Sequence, residues 1–308
     1  SASGLTNAIS SGFNITPAAV SASVSTVVAS RVDDVVADNS DSSSITVTAR
    51  DAFGNPVPGA SVTLAATGEG NTVGQPAAQT NASGVATGSL KSTKAETKTL
   101  AATVGSTLLE ARPQVRFVHG GPSAIKSTVR ASDLPVVANG QATSTITVTV
   151  LDAFSNPIPG ASVVLTSSGS NNTLTTPAET DGSGVTTATI ASTKAEAKTI
   201  TATVGTLALG EKPVITFVSG PVSASESLVA VNPADGLVAD GSAASTITVT
   251  ARDAFLNRIP DLTVVLSVAS AGDPAKNTLV QPAAATGSDG VASGSLTSTW
   301  AEVKTITA

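Results

Sequence analysis

The sequence predicts an all-β protein built of tandem β-sandwiches, and three observations carry that reading. Val, Thr, Ser and Ala fill a 308-residue chain in which 12% of residues are charged and 2% aromatic. Val and Thr favour strands because a branched Cβ fits a pleated surface. Twenty-six Gly and 16 Pro are scattered along the chain, as in a protein with many tight turns. Apolar residues alternate with polar ones at a period of two, and no stretch sustains a helical period.

The strands repeat as a set. Residues 45–64 read ITVTARDAFGNPVPGASVTL, residues 146–165 ITVTVLDAFSNPIPGASVVL and residues 247–266 ITVTARDAFLNRIPDLTVVL, so that Asp51, Asp152 and Asp253 recur every 101 residues. Ser83–Val85, Ser183–Val185 and Asp289–Val291 follow, then STKAETKTLAATVG from Ser92, STKAEAKTITATVG from Ser192 and STWAEVKTITA from Ser298. Such a period is too long for a solenoid and suits one immunoglobulin-like sandwich per copy. The predicted fold class is therefore all-β, tandem immunoglobulin-like β-sandwich domains in an elongated array. The expected divisions are residues 1–19 as an N-terminal strand segment, then domains at 20–120, 121–220 and 221–308, the last lacking its final strand.

Within the first copy, Ile45, Val47 and Ala49 are expected to point inward, with Val62 and Leu64 as a second inward set and Leu100, Ala102 and Val104 as a third. Gly54-Asn55-Pro56 and Pro58-Gly59 form a corner between the first two sets. Asn81–Gly84, Asp181–Gly184 and Asp289-Gly290 read as hairpin turns. With so few aromatics, Phe117 and Phe217 are expected to anchor cores otherwise made of Val, Ile, Leu and Ala.

The string DAFGNPVPGASVTL, the turn SGVATGSL and the run STKAETKTLAATV resemble the bacterial Ig-like domain of the invasin and intimin family, over nearly the whole chain and in three copies. The resemblance implies rigid stalks at the bacterial cell surface, projecting from an outer-membrane β-barrel and carrying an adhesive tip. The third copy has Arg258 and Asp261 where the others have Pro and Gly, which bears on the geometry of its corner and not on its fold.

Chemistry finds little to work with. There is one His and no Cys, so His119 lacks the partners that a triad or a zinc site needs. No catalytic, cofactor or metal residues are assigned, and no enzyme activity is expected. Asp33, Asp34, Asp38 and Asp41 lack the spacing of an EF-hand loop and read as a solvated strand-and-turn surface. Asp133 is the second copy's counterpart, and Asp235 with Asp240 leaves interdomain calcium as an option. Lys94–Lys98 and Lys194–Lys198 read as charged loops leading into strands. Trp300 is a candidate contact residue or a local packing variant, beside the longer segment 267–276. A net charge of −6 without a basic cluster argues against nucleic acid, and no apolar run reaches the ~18 residues that cross a bilayer.

The opening residues alternate Phe13 and Ile15 with Asn14 and Thr16, matching the final strand of the first two copies. This gives a candidate polymerisation strand (Leu5, Ile9, Phe13, Ile15) and a candidate acceptor groove in the third copy (Ile306, Ala308, Ile247, Val249). The expected function is a non-catalytic extracellular stalk or filament subunit, joined head-to-tail to other copies of itself by strand complementation or continuous with further Ig-like domains of a longer chain. The alternative is a slice of a giant adhesin whose Ig-like domains include a glycan- or protein-binding module, with a cell-surface protein or glycan as partner.

Overall fold

A computed structural model describes residues 11–132 and 134–308; Leu5, Ile9 and Asp133 lie outside the described residues. Two compact units form. One runs to Lys126 and takes in Leu151–Ile158; the other comprises Ser127–Val150 and Pro159–Ala308.

The first repeat contributes β1 (Thr26–Ala29), β2 (Val35–Val36), β3 (Ser43–Thr48), β4 (Val62–Ala66), β5 (Asn71–Gly74), β6 (Val85–Ser92), β7 (Thr97–Val104), β8 (Thr107–Leu108) and β9 (Gln114–Val118). They make two facing sheets, one ordered β1-β3-β6-β5 and the other β2-β9-β7-β4 with β8 hydrogen-bonded to β7. Pairing is antiparallel except between β2 and β9, where Val35 stands opposite Phe117. The predicted alternation places the core: Ile45, Val47, Leu100 and Ala102 are sealed between the sheets with Leu90 and Phe117. At the end of the β6 hairpin, Gly84 has φ +75°, and a Cβ there would meet the Ala49 carbonyl. Only glycine closes this turn without strain.

The second repeat copies the plan with β10 (Thr128–Ala131), β11 (Val136–Val137), β12 (Ser144–Thr149), β13 (Val163–Ser167), β14 (Asn172–Leu174), β15 (Val185–Ser192), β16 (Ala197–Val204), β17 (Leu207–Ala208) and β18 (Val214–Val218). Phe217 packs as Phe117 does, and both are buried. The third repeat has β19 (Leu228–Asn232), β20 (Ala244–Thr250), β21 (Ser267–Ala269), β22 (Asn277–Val280), β23 (Val291–Ser298) and β24 (Thr305–Thr307). Its first sheet, β19-β20-β23-β22, is intact, but opposite it stand only β21 and β24. Its buried cluster is correspondingly reduced to Ile247, Val249, Leu266 and Leu296.

One sequence reading needs correction. Lys98 and Lys198 do not belong to charged loops: they sit on β7 and β16 and are completely buried. Lys198 Nζ donates to the Ser170 carbonyl at 2.8 Å and to Glu196 Oε1 at 2.7 Å. It also lies 5.8 Å from the centre of the Phe217 ring. Lys98 makes the same bonds to Glu69 and Glu96. A buried ammonium needs such partners, because burying it unpaired costs several kcal/mol. Charge alone suggested a loop, whereas the strand's alternation turns this position inward.

Candidate functional site

The residues that organise each repeat are the aspartate and asparagine of its Asp-Ala-Phe-Xaa-Asn corner. Asp152 Oδ1 accepts the amides of Phe154 and Asn156, both at 2.8 Å. Asp152 Oδ2 accepts Asn156 Nδ2 at 2.8 Å and the Gly120 amide at 2.9 Å. Asp253 repeats the pattern with Phe255, Asn257 and Gly220. Asp51 does so with Phe53 and Asn55, with Ala18 in the place of the glycine. Each aspartate thus closes its own corner and grips the chain entering its repeat.

Four donors on one carboxylate stabilise its ionised form. For Asp51, the Asn55 side chain leads in holding the carboxyl down to about 2, aided by the Ala18, Asn55 and Phe53 amides against the opposing effect of desolvation. For Asp152 and Asp253 burial pushes upward most strongly, yet their donors together outweigh it and both lie below the ordinary range.

The asparagine reaches further. Asn257 Nδ2 donates to the Thr193 carbonyl at 3.0 Å, and its Oδ1 accepts the Ala195 amide at 2.8 Å. Asn156 does the same with Thr93 and Ala95, at 3.0 and 2.9 Å. The primary amide therefore satisfies a carbonyl and an amide two residues apart, in a turn fixed by Ser92 or Ser192, whose Oγ accepts from the second residue after it. Both asparagines are buried. Recurrence of Asn at one corner position, beside a neighbour that is Gly, Ser or Leu, was the signal in the sequence; it was read there only as turn chemistry.

The third corner keeps this geometry despite Arg258 and Asp261. Asp253 still accepts its corner amides, and Asp261 donates its amide to the Thr286 carbonyl as Gly59 does to Thr80. Asp261 and Leu256 adopt φ of 57° and 66°, so the backbone absorbs the change of residue.

Other singled-out residues scatter. Phe13 and Ile15 are exposed and outside any strand. Trp300 and Ile306 line a groove of about 610 Å³ in the third repeat, together with Val231, Leu237, Val238 and Leu296. Ile247 and Val249 do not line it; on β20 they face the core between the sheets. Ala308 is exposed and also stands apart from the groove lining. Asp33 and Asp34 pair with Arg116, Asp41 pairs with Arg31, and Asp38 and Asp240 accept backbone amides of their own turns. His119 Nδ1 lies 2.8 Å from the Gly120 carbonyl. Among the described residues no cluster of His, Asp and Glu is arranged to hold a metal ion.

The model of the bacterial Ig-like domain (group 1) matches residues 24–118, 126–218 and 228–308. The chain is similar to the inverse autotransporter adhesin YeeJ of Escherichia coli (strain K12), with 29% identity over 232 residues. That match covers 71% of the chain and 10% of YeeJ, so the chain spans about a tenth of the length of this relative. Among solved structures, the Escherichia coli adhesin FdeC is similar with a TM-score of 0.58 and 20% identity, covering 92% of this chain and 91% of that one. InvD of Yersinia pseudotuberculosis matches with a TM-score of 0.55 and 22% identity, over 92% and 82%. Invasin, a bacterial integrin-binding protein, matches with 0.53 and 22%, over 92% and 56%.

Proposed function

Because this chain belongs to the bacterial Ig-like domain (group 1) family, in three repeats, we propose that it is a non-catalytic spacer segment of a bacterial surface adhesin. The observation that carries this reading is the corner asparagine bonded into the backbone of the preceding turn. A buried, two-pronged polar contact fixes orientation more strictly than an apolar patch, whose attraction is non-directional. That is what a load-bearing element of a cell-surface stalk requires. The named relatives are adhesins, and a location outside the bacterial cell, with any host or surface partner held elsewhere, follows the same reading. The test is Asn257→Ala, read by residual dipolar couplings between the second and third repeats. Independent tumbling of the two repeats in the variant and a fixed orientation in the parent chain support the spacer; equal orientation in both removes the asparagine's role.

A second reading is favoured by the groove in the third repeat. It lies where β2 and β9 complete the first repeat, and Val231, Leu237, Val238 and Ile306 give it apolar surface beside polar residues such as Ser245 and Thr297. An extended segment with alternating apolar side chains would find backbone partners and side-chain pockets there. The segment around Phe13 and Ile15 of another copy has that pattern, giving head-to-tail assembly by strand donation. Deleting residues 1–17 is expected to yield chains that stay monomeric in light scattering; polymers from that deletion would refute the donated strand.

A further inference from the structure

The turn that leads into β12 recurs in all three repeats, but its central side chain does not. Asp38 Oδ1 accepts the Ser40 and Asp41 amides, both at 2.7 Å. Asp240 Oδ1 accepts those of Ser242 and Ala243 at 2.7 and 2.8 Å. In the second repeat Asn139 holds this place, and its Oδ1 accepts the Gln141 and Ala142 amides at 2.9 and 2.8 Å. The next residue is left-handed each time, Asn39 at φ 57°, Gly140 at 74° and Gly241 at 77°. Its amide donates to the carbonyl of Ser92, Ser192 or Ser298. One seat therefore takes a carboxylate twice and a carboxamide once. Both side chains supply the acceptor oxygen it needs, and the ionised one accepts more strongly.

Asn139 is followed by Gly140, and this Asn-Gly step occurs once in the sequence. Such a step carries its own chemistry: with no Cβ on the glycine, its amide nitrogen can reach the carbonyl carbon of the preceding side chain. The fold favours the reaction in three ways. The bonds to Gln141 and Ala142 turn the Asn139 side chain back over the backbone that follows it. Those two amides aim at Oδ1, where negative charge develops as Cγ becomes tetrahedral, and they stabilise that charge as an oxyanion hole does. Nδ2 is the leaving group; Asn139 is exposed, and Nδ2 has no partner among the described residues.

We propose that Asn139 is a self-modification site, converted to aspartate in the folded chain with water as the only co-reactant. Solvent base takes the Gly140 N–H proton, and the nitrogen attacks Asn139 Cγ. Nδ2 then leaves with a proton from solvent as ammonia, which closes a succinimide ring. The bond from Gly140 to the Ser192 carbonyl is given up in this step. Water adds to Cγ, the new Cγ–N bond breaks, and the Gly140 amide recovers its proton and its bond. The net change is hydrolysis of one carboxamide, with nothing oxidised or reduced. Attack of water at the main-chain carbonyl would instead insert a carbon into the backbone; the seat opposes that outcome because its paired amides hold the side-chain oxygen. Asp38 and Asp240 show the product already seated. The Ala243 and Ser242 amides hold the Asp240 carboxyl below the ordinary carboxylate range, and a carboxylate at position 139 gains the same support.

The test incubates the purified full chain at neutral and mildly alkaline pH, folded and in urea. Residue 139 is followed by peptide mapping with fragmentation that separates aspartate from isoaspartate. In the folded chain, conversion to aspartate is expected at Asn139 ahead of every other asparagine, faster at higher pH and with release of ammonia. Asn139→Asp, made directly, should keep the Gln141 and Ala142 amides protected from exchange. It should also raise the urea midpoint of the second repeat at neutral pH above that of freshly prepared parent chain. That rise should fade as pH falls below about 4, where a carboxylate stabilised in the folded state takes up its proton. Conversion confined to the urea-treated chain overturns the proposal, as does isoaspartate as the main product of the folded chain. A lower midpoint for N139D, with Gln141 and Ala142 open to exchange, overturns it as well, because the seat would then suit the carboxamide alone.

Discussion

Leu256 holds a φ of 66° at a position where the first repeat places Gly54 at 84°. The left-handed region costs an L-residue about 1–2 kcal/mol, and the exposed Leu256 side chain recovers little of this by burial. Leu256→Gly removes the strain but gives the unfolded chain more freedom. The net expectation is a gain of about 0.5–1 kcal/mol for the third repeat, measured as a higher urea midpoint; a lower midpoint would mean that Leu256 packs in a way its exposure hides. One position on, Asn257 works in the opposite sense. Asn257→Ala strips partners from the Thr193 carbonyl and the Ala195 amide and removes one donor from buried Asp253. A loss of about 2 kcal/mol is expected, with the Ala195 amide becoming open to exchange. Unchanged protection at Ala195 would show that the bond contributes nothing in solution.

At the scale of the element, β16 carries its least expected residue in Lys198. Lys198→Ala leaves the Ser170 carbonyl without its donor and the partly buried Glu196 with Lys194 as its remaining cation, and a cost of about 3 kcal/mol is expected by chemical denaturation. Lys198→Met, which keeps the apolar stem, should cost less; equal losses would assign the effect to the lost ammonium and its bonds rather than to packing of the stem. Glu196 itself is held down to about 2, by Lys198 first and then by the Ser170 amide and Lys194. The corner aspartates share that direction of shift, and the sign follows. A carboxylate whose folded pKa lies below its unfolded value of about 3.9 adds stability fully above that value and loses it as pH falls. Unfolding free energy should therefore be flat from neutral pH down to about 5 and decline below about 4. Asp51→Asn should flatten the part of that decline that belongs to the first repeat. The strands themselves were legible because burial on one face writes a period of two into β3, β7 and β20. The corner was legible as a turn through its Gly, Pro and Asn. Its outer bonds were not, since a side-chain amide that caps a local turn and one that reaches another repeat leave the same letter. Lys98 and Lys198 escaped notice for a related reason: in a strand one residue from a loop, the alternation and the charge made opposite demands, and a carbonyl with a glutamate settled them.

For the whole chain, the three repeats share a pattern but not a complement of strands, and stability should follow the strands. In the first repeat β2, β9, β7 and β4 seal one side of the core, and Phe117 and Val115 are buried against it. In the third, β21 and β24 cover a smaller area, Ile306 is only half-buried, and Val229 and Val238 face the groove exposed. Each large side chain left uncovered forfeits about 1.5–3 kcal/mol relative to full burial, which for a domain with only 5–15 kcal/mol in hand is decisive. Unfolding is then expected in separate steps rather than as one transition. Amides of β20 and β23 should exchange well before those of β3 and β6, although the two pairs have nearly the same hydrogen-bond register. A peptide with the sequence of residues 213–218, the β18 segment that fills the equivalent place in the second repeat, should slow exchange in β24 and raise the first melting step if it adds to the open sheet. Exchange at equal rates in all three repeats would mean that β19, β20, β22 and β23 hold the third repeat without the missing edge, and that the groove is no source of instability.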